Sequence, residues 1–397
     1  MNELLYRVLY NGKKVMRNCK FYCRKGIVRF KHREMKEKTT ISYNKAVQLL
    51  SDIYSKNDID FDEECKRSKT IDYDVSIIVP VYNAEKNIES CLKTVLEQKT
   101  NYTYEIICVN DGSTDSSLEI LEKLSGTTNK LTVINQRNSG ASVARNAGMK
   151  IAKGRYFFFV DSDDMLPANA IELLIKKALK TNADIIQGSI AKCNVDGRVY
   201  YVNAVKNEMS DNLLEYYNCN MIGTAWGRLY KREMWDGINF FEGYAYEDAI
   251  VWCNVYLKCK KMAFVPQVTY IFRSSDNSLF KRQNNSVKCL DSIWIIEECI
   301  NLCNAQKLST STEWYQMILW QLSVGIVTRI SYISNDEILQ AAFVVVKRIA
   351  ENLKEYRHSE FKGKNKDIYL NIENSFASSE YKKWLEYSWI LSYSESI

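Results

Sequence analysis

Four short, almost wholly apolar runs, three of them each followed by a helical period, constrain this chain more than any other feature. "VSIIVPVYN" (75–83) reads as a strand buried on both faces, and "EIICVN" (105–110), "LTVIN" (131–135) and "RYFFFV" (155–160) read as three further strands. Between them Ile88, Cys91, Leu92, Val95 and Leu96 recur at helical spacing, "STDSSLEILEKL" opens with helix-capping residues, and "ASVARNAGMKIA" reads as a helix. Strand alternating with helix implies parallel strands joined by right-handed crossovers, so the expected fold is α/β with a doubly wound, mostly parallel sheet. Past residue 184 the alternation weakens ("DIIQGSI", "RVYYV"), and segments 287–304, 312–333 and 335–356 are amphipathic helices. A chain of 397 residues suits two or three domains. The expected division is a basic, partly helical N-terminal extension (1–72), the sheet domain (73–280) and a helical C-terminal domain (281–397).

Ligands of such a sheet bind outside the carboxyl ends of its strands. Strand one ends with Tyr82 and Asn83, strand two with Asp111 before a glycine, and the third leads to Asn138, Gly140, Arg145 and Asn146. The fourth ends in "DSDD", which places Asp161, Asp163 and Asp164 within four positions. Taken singly these are turn and cap residues. Together, at one sheet edge, they are a site. Like charges this close raise each other's pKa, and a cation would relieve the repulsion. Carboxylates at i and i+2 on extended backbone point the same way, so Asp161 and Asp163 address one centre. Hard oxygen ligands suit Mn2+ or Mg2+ completed by substrate phosphate. With His32 and His358 the only histidines, zinc is disfavoured. Asp164 is expected to act partly as the cap of the helix that starts near Pro167.

Charge is uneven. Residues 1–40 hold twelve Lys or Arg against three Glu, a balance of +9, so the remainder carries −3 of the net +6. With Phe21, Tyr22, Ile27, Val28 and Phe30 interleaved, that arm reads either as a solvated extension or as a contact for anionic lipid headgroups. No nucleic-acid module accompanies the charge. None of the twelve cysteines forms a CxxC pair, and "MNELLYRVLY" offers no signal-peptide core. The longest uncharged run, Trp314 to Thr328, is shorter than the roughly 20 residues of a spanning helix. The expectation is a cytoplasmic protein, peripheral on the inner face of the membrane if the arm binds lipid.

"SIIVPVYNAEKNIESCLKTVLEQ", "EIICVNDGSTDSS", "NSGASVARNAGMKIAKGRYFFFVDSDD", "AWGRLYKREMW" and "YEDAIVWCNVYL" together resemble glycosyltransferase family 2, bacterial enzymes of the GT-A fold that use nucleotide-sugar donors. The resemblance covers about residues 73–280. It implies inverting sugar transfer, a retained metal and a nucleoside diphosphate leaving group. It would make Pro80, Val81 and Tyr82 the wall against the nucleobase and bring Glu85 near the ribose. Asp111 would accept from the base's imide N–H, favouring uracil, while Asn138 and Arg145 line the nucleotide pocket. Asp161 would hold ribose or a metal-bound water, and Asp163 the metal. In the Glu247–Asp248 pair, Asp248 would be the general base for the attacking sugar hydroxyl. Trp226 would stack on a sugar, Arg228 would hold acceptor or structure, and Arg273 would belong to a loop over the diphosphate. The implied acceptor is a saccharide or lipid-linked saccharide of a cell-surface polysaccharide.

Two other readings compete. A haloacid-dehalogenase-type phosphatase also places Asp-x-Asp after a buried strand, but on the first strand of its domain, whereas here the motif comes fourth. A non-catalytic nucleotide-sugar-binding scaffold would need missing acids, and every expected acid is present.

Overall fold

The computed structural model describes residues 37–53, 67–194, 197–205, 209–210, 224–274, 286–308, 310–353, 356, 360–361, 363 and 365–394. The basic arm, apart from residues 37–40, and residues 275–285, which include the rest of the loop expected over a diphosphate, lie outside the described residues. The chain divides into two compact units: Asp58–Ser278 with Leu302–Leu308, and Met1–Asn57 with Leu279–Asn301 and Ser309–Ile397.

In chain order, helix α1 (Tyr43–Ile53) precedes β1 (Tyr73–Val81), α2 (Ile88–Leu96), β2 (Tyr104–Asp111), α3 (Ser117–Ser125), β3 (Leu131–Gln136), α4 (Ala141–Ile151), β4 (Gly154–Phe159) and α5 (Ala170–Thr181). β5 (Ile185–Cys193), β6 (Val199–Asn203), β7 (Met209–Ser210), β8 (Arg228–Lys231) and β9 (Met262–Arg273) follow. They form one sheet in the order β3-β2-β1-β4-β8-β5-β9-β7, with β6 on β5. β1 pairs in parallel with β2 and β4, and β2 with β3, as the alternation demands. β8 then runs antiparallel between β4 and β5, while β5 and β9 are parallel. Strands β1–β5 and β9 therefore point one way, and the sheet is mostly parallel.

Burial explains the pattern. Every residue of β2 is buried, as a strand covered on both faces requires. Helix α4 lies so close to β1 that a Cβ on Gly148 would come 2.5 Å from Ile78 Cγ2. β9 was not foreseen as a strand because Pro266 interrupts it. Opposite, β5 shifts register at Gly188/Ser189 and Ser189/Ile190, and the Ser189 hydroxyl donates to the Pro266 carbonyl at 2.6 Å. A bulge of this kind accommodates a residue that has no ladder donor.

Asp164 does not cap α5. The helix begins at Ala170, and the Gln98 side chain accepts from the Ile171 amide (3.1 Å) while donating to the Pro167 carbonyl (2.7 Å). The carboxylate of Asp164 is used elsewhere.

The second unit is helical: α6 (Asp291–Ala305, whose last turn belongs to the sheet unit), α7 (Thr312–Trp320), α8 (Ile326–Ile330), α9 (Asp336–Asn352), α10 (Lys366–Ala377) and α11 (Tyr381–Ser394). The helix expected over 312–333 runs continuously from Thr312 to Ile330 and contains a π-turn at Gln321–Gly325. Phe343, Phe376, Tyr381 and Trp384 form its aromatic core. Helix α1 belongs to this unit too, with Lys45 3.4 Å from Glu337 of α9. Among the described residues no helix is long and apolar enough to cross a membrane.

Candidate active site

Hydrogen bonds lace the strand tips into one surface. Asn83, at φ 48°, donates its amide to the Ser113 hydroxyl (3.0 Å), and its side chain accepts from the Thr114 amide (2.8 Å). Glu85 donates its amide to Asp115 (3.1 Å), and its carboxylate accepts from the Ser116 amide (3.2 Å). Tyr82 leaves its ring 48% exposed beside the buried Val81 and half-buried Pro80; Glu85 and Asn138 are exposed. Asp111 is 3% exposed and accepts from Gln136 Nε2 (2.8 Å) and from the amides of Ser139 (2.9 Å) and Gly140 (2.7 Å). Three of a carboxylate's roughly four acceptor directions are thus occupied by the loop that opens α4. That loop comes so near that a Cβ on Gly112, at φ +67°, would stand 2.6 Å from the Asn138 amide nitrogen.

At the fourth tip the Asp164 amide donates to the Asp161 carbonyl (3.0 Å), closing a turn that buries Asp164 completely. Its carboxylate accepts from Tyr270 Oη (2.7 Å) and the Arg273 amide (2.8 Å), both from β9. Tyr270 Oη also accepts from the Asp161 amide at 3.2 Å. Burial, then the charges of Asp163 and Asp161, raise the Asp164 pKa well above the carboxylate range. Burial, and next Asp161, push Asp163 up to about 6. Among the described residues no three of His, Cys, Asp and Glu form a cage of their own. The hard carboxylate oxygens of Asp163, with Asp161 near it and paired to Arg145, would suit a divalent ion whose shell substrate oxygens complete.

The two acidic motifs meet at Arg145. From buried α4 its guanidinium donates to Asp161 Oδ1 (3.0 Å) and to Glu247 Oε1 (2.7 Å). Burial acts to lower its pKa, but Asp161, Glu247 and Asp248 raise it above the ordinary value, so it stays charged. The neighbouring Asn146 donates to the Phe240 carbonyl (2.9 Å) and accepts from its amide (2.9 Å), fixing the segment that leads to Glu247. Asp248 Oδ1 accepts from the Ala225 amide (2.9 Å). Burial, then Glu247, push its pKa up to about 7 against the opposing pull of Arg145. A carboxylate poised there is suited to general base work near neutral pH.

Trp226 and Arg273 are placed differently from the expected ligand contacts, and Arg228 takes the structural one of its two expected roles. Trp226 is 6% exposed and stacks on Tyr270 (4.6 Å between centroids) and Phe272 (5.4 Å), leaving little ring for a sugar. Arg228 is fully buried with Nε on Gln187 Oε1 (2.7 Å), which makes it structural. Arg273 reaches Asn87 Oδ1 (2.6 Å) and Ser90 Oγ (3.2 Å) at the start of α2. Reasoning from sequence placed Asn146 at this edge without a role and missed Tyr270. Asn146 stood in a motif already singled out; nothing local marks Tyr270.

Residues 76–237 match the profile described as Glycosyl transferase family 2. Over those residues the chain is similar to glycosyl transferase family 2. Glycosyltransferase GlyA of Streptococcus pneumoniae is 34% identical over 221 residues, 53% of this chain and 32% of that protein. The uncharacterized glycosyltransferase EpsJ of Bacillus subtilis is 36% identical over 215 residues, covering 52% and 62%. The chain thus spans less than two thirds of the length of either relative. In structure, the transferase domain and its surroundings resemble S. aureus TarS 1-349, crystallised in complex with UDP-GlcNAc, with a TM-score of 0.59, 19% identity and coverage of 79% and 90%. The sheet is the GT-A fold. With that fold the phosphatase topology falls away, because the Asp161 motif follows the fourth strand and not the first.

Proposed function

We propose that this chain is an inverting, metal-dependent glycosyltransferase that moves a sugar from a uridine diphosphate sugar to a hydroxyl of a saccharide or lipid-linked acceptor in cell-surface polysaccharide biosynthesis. The observation that carries this reading is the Arg145 junction, which ties Asp161 on the donor side to Glu247 beside the candidate base. Tyr82 offers its exposed ring to the nucleobase, and Asp111 keeps one acceptor direction for an imide N–H. Glu85 and Asn138 flank that position from their exposed loops. Asp248 takes the proton from the acceptor hydroxyl as it attacks the anomeric carbon opposite the leaving group, which inverts the configuration. When bound, Mn2+ or Mg2+ at Asp163 supplies positive charge to the leaving diphosphate. The domain works on the cytoplasmic side, with residues 1–40 against an anionic membrane surface.

A donor panel tests the reading. Nucleotide release from UDP-, GDP- and CDP-sugars is measured with and without Mn2+, in the wild type and in Asp163→Ala. A UDP-sugar should be hydrolysed in a metal-dependent way, and Asp163→Ala should lose both turnover and metal-strengthened UDP binding. Indifference to metal, or equal use of GDP-sugars, would sink the assignment.

A further inference from the structure

Below Trp226 the sheet presents a row of side chains that the donor site does not use. Lys192 of β5 stands directly between Tyr201 of β6 and Phe272 of β9 in strand register. Directly opposed residues share a face of the sheet. The Lys192 ammonium is 5.5 Å from the Tyr201 ring centroid and 5.8 Å from that of Phe272. Tyr201 is 45% exposed, and Lys192 and Phe272 are half-buried. The row is continuous with the catalytic cluster on two paths. Phe272 stacks on Trp226, whose neighbour Ala225 donates its amide to Asp248. One step inward on the same strand, Tyr270 holds the Asp161 amide and Asp164.

We propose that Tyr201, Lys192 and Phe272 form the shelf on which the acceptor's sugar rings lie as one hydroxyl is presented to Asp248. This rests on the transferase reading. A pyranose has an apolar face of C–H groups and a rim of hydroxyls. The negative face of an aromatic ring attracts those C–H groups, and the ammonium between the two rings offers three donors to the rim. An exposed tyrosine on the sheet, linked through Lys192, Phe272 and Trp226 to the segment that donates to Asp248, has this chemistry. Trp226 supports the shelf by stacking on Phe272 rather than by touching sugar.

Saturation-transfer NMR on the full chain tests it, with cellobiose, lactose and N,N′-diacetylchitobiose as probes in the presence of Mn2+ and UDP. At least one disaccharide should bind, Tyr201→Phe should retain it, and Tyr201→Ala and Lys192→Met should each weaken it, the former by about tenfold. Calorimetry of UDP on the same wild-type protein reads the donor site separately. A wild type that binds no UDP defeats the transferase reading and takes the shelf's acceptor role with it. A wild type that binds UDP but no disaccharide, or a Tyr201→Ala variant that binds sugar as wild type does, overturns the shelf alone. Sedimentation with phosphatidylglycerol vesicles that is lost in Tyr201→Ala while sugar binding persists would put lipid on this face, and that too overturns it.

Discussion

At Asp248 the protein holds a carboxylate where charge is costly, and that cost has two measurable consequences. Burial and Glu247 raise its pKa from 3.8 to about 7. A base must be deprotonated to work, so the transfer rate should rise with pH through about 7. Stability runs the other way. Between about pH 4 and 7 the folded protein keeps a proton that the unfolded chain releases. The contribution of this group is therefore fully present below the unfolded pKa and lost as pH rises through the folded one. Asp248→Asn keeps an oxygen for the Ala225 amide and carries no charge. It should melt at or above the wild-type temperature at pH 8 while transfer falls by about 10²–10⁴-fold. UDP affinity should stay near wild type, since the lost contact forms as the acceptor attacks. A variant that keeps more than about a tenth of the rate would move the role to Glu247.

Between elements, the site depends on how closely two loops approach. Gly112 occupies a left-handed conformation that disfavours side chains, and an added Cβ would meet the Asn138 backbone. Gly112→Ala should cost about 1–3 kcal/mol and pull Asp111 away from the Ser139 and Gly140 amides, weakening UDP binding along with thermal stability. An unchanged UDP affinity would mean that the loop contact does not shape the nucleotide pocket. At this scale much was legible in the sequence. β1, β2 and β4 are apolar runs that the structure buries, and their parallel order follows from the intervening helices, whereas β3 buries only Leu131. β8 and β9 were not legible, because Arg228 and Pro266 break the apolar signal, and each is made tolerable by a distant partner, Gln187 and Ser189. The same limit governs side chains. Asp164 reads as a helix cap in local sequence, and only the pairing of β9 brings in Tyr270 from 106 residues away. Trp226 reads as a sugar platform until the rings that cover it are placed.

Across the whole molecule the unresolved physical tension is charge, since the arm carries +9 and everything after it −3. A glycosyltransferase acting on lipid-linked acceptors gains by being held at the surface where they reside. Each basic residue near an anionic surface contributes about 1 kcal/mol, so the eleven Lys or Arg and two Glu of residues 1–36 are ample if only some of them touch lipid. The cut for a truncation is set by the structure: Glu37 accepts from the Lys382 amide at 3.3 Å, so removal of residues 1–36 leaves that tie intact. The truncated chain should bind UDP with Mn2+ as the full chain does, yet no longer sediment with phosphatidylglycerol vesicles. Binding of the full chain should weaken with added salt, because exposed charges are screened within about 8 Å at physiological ionic strength, and neutral phosphatidylcholine vesicles should not capture it. Equal sedimentation of the two chains would show that the arm is a solvated extension. Capture by neutral vesicles that persists at high salt would instead point to the arm's aromatic residues, with its charge incidental.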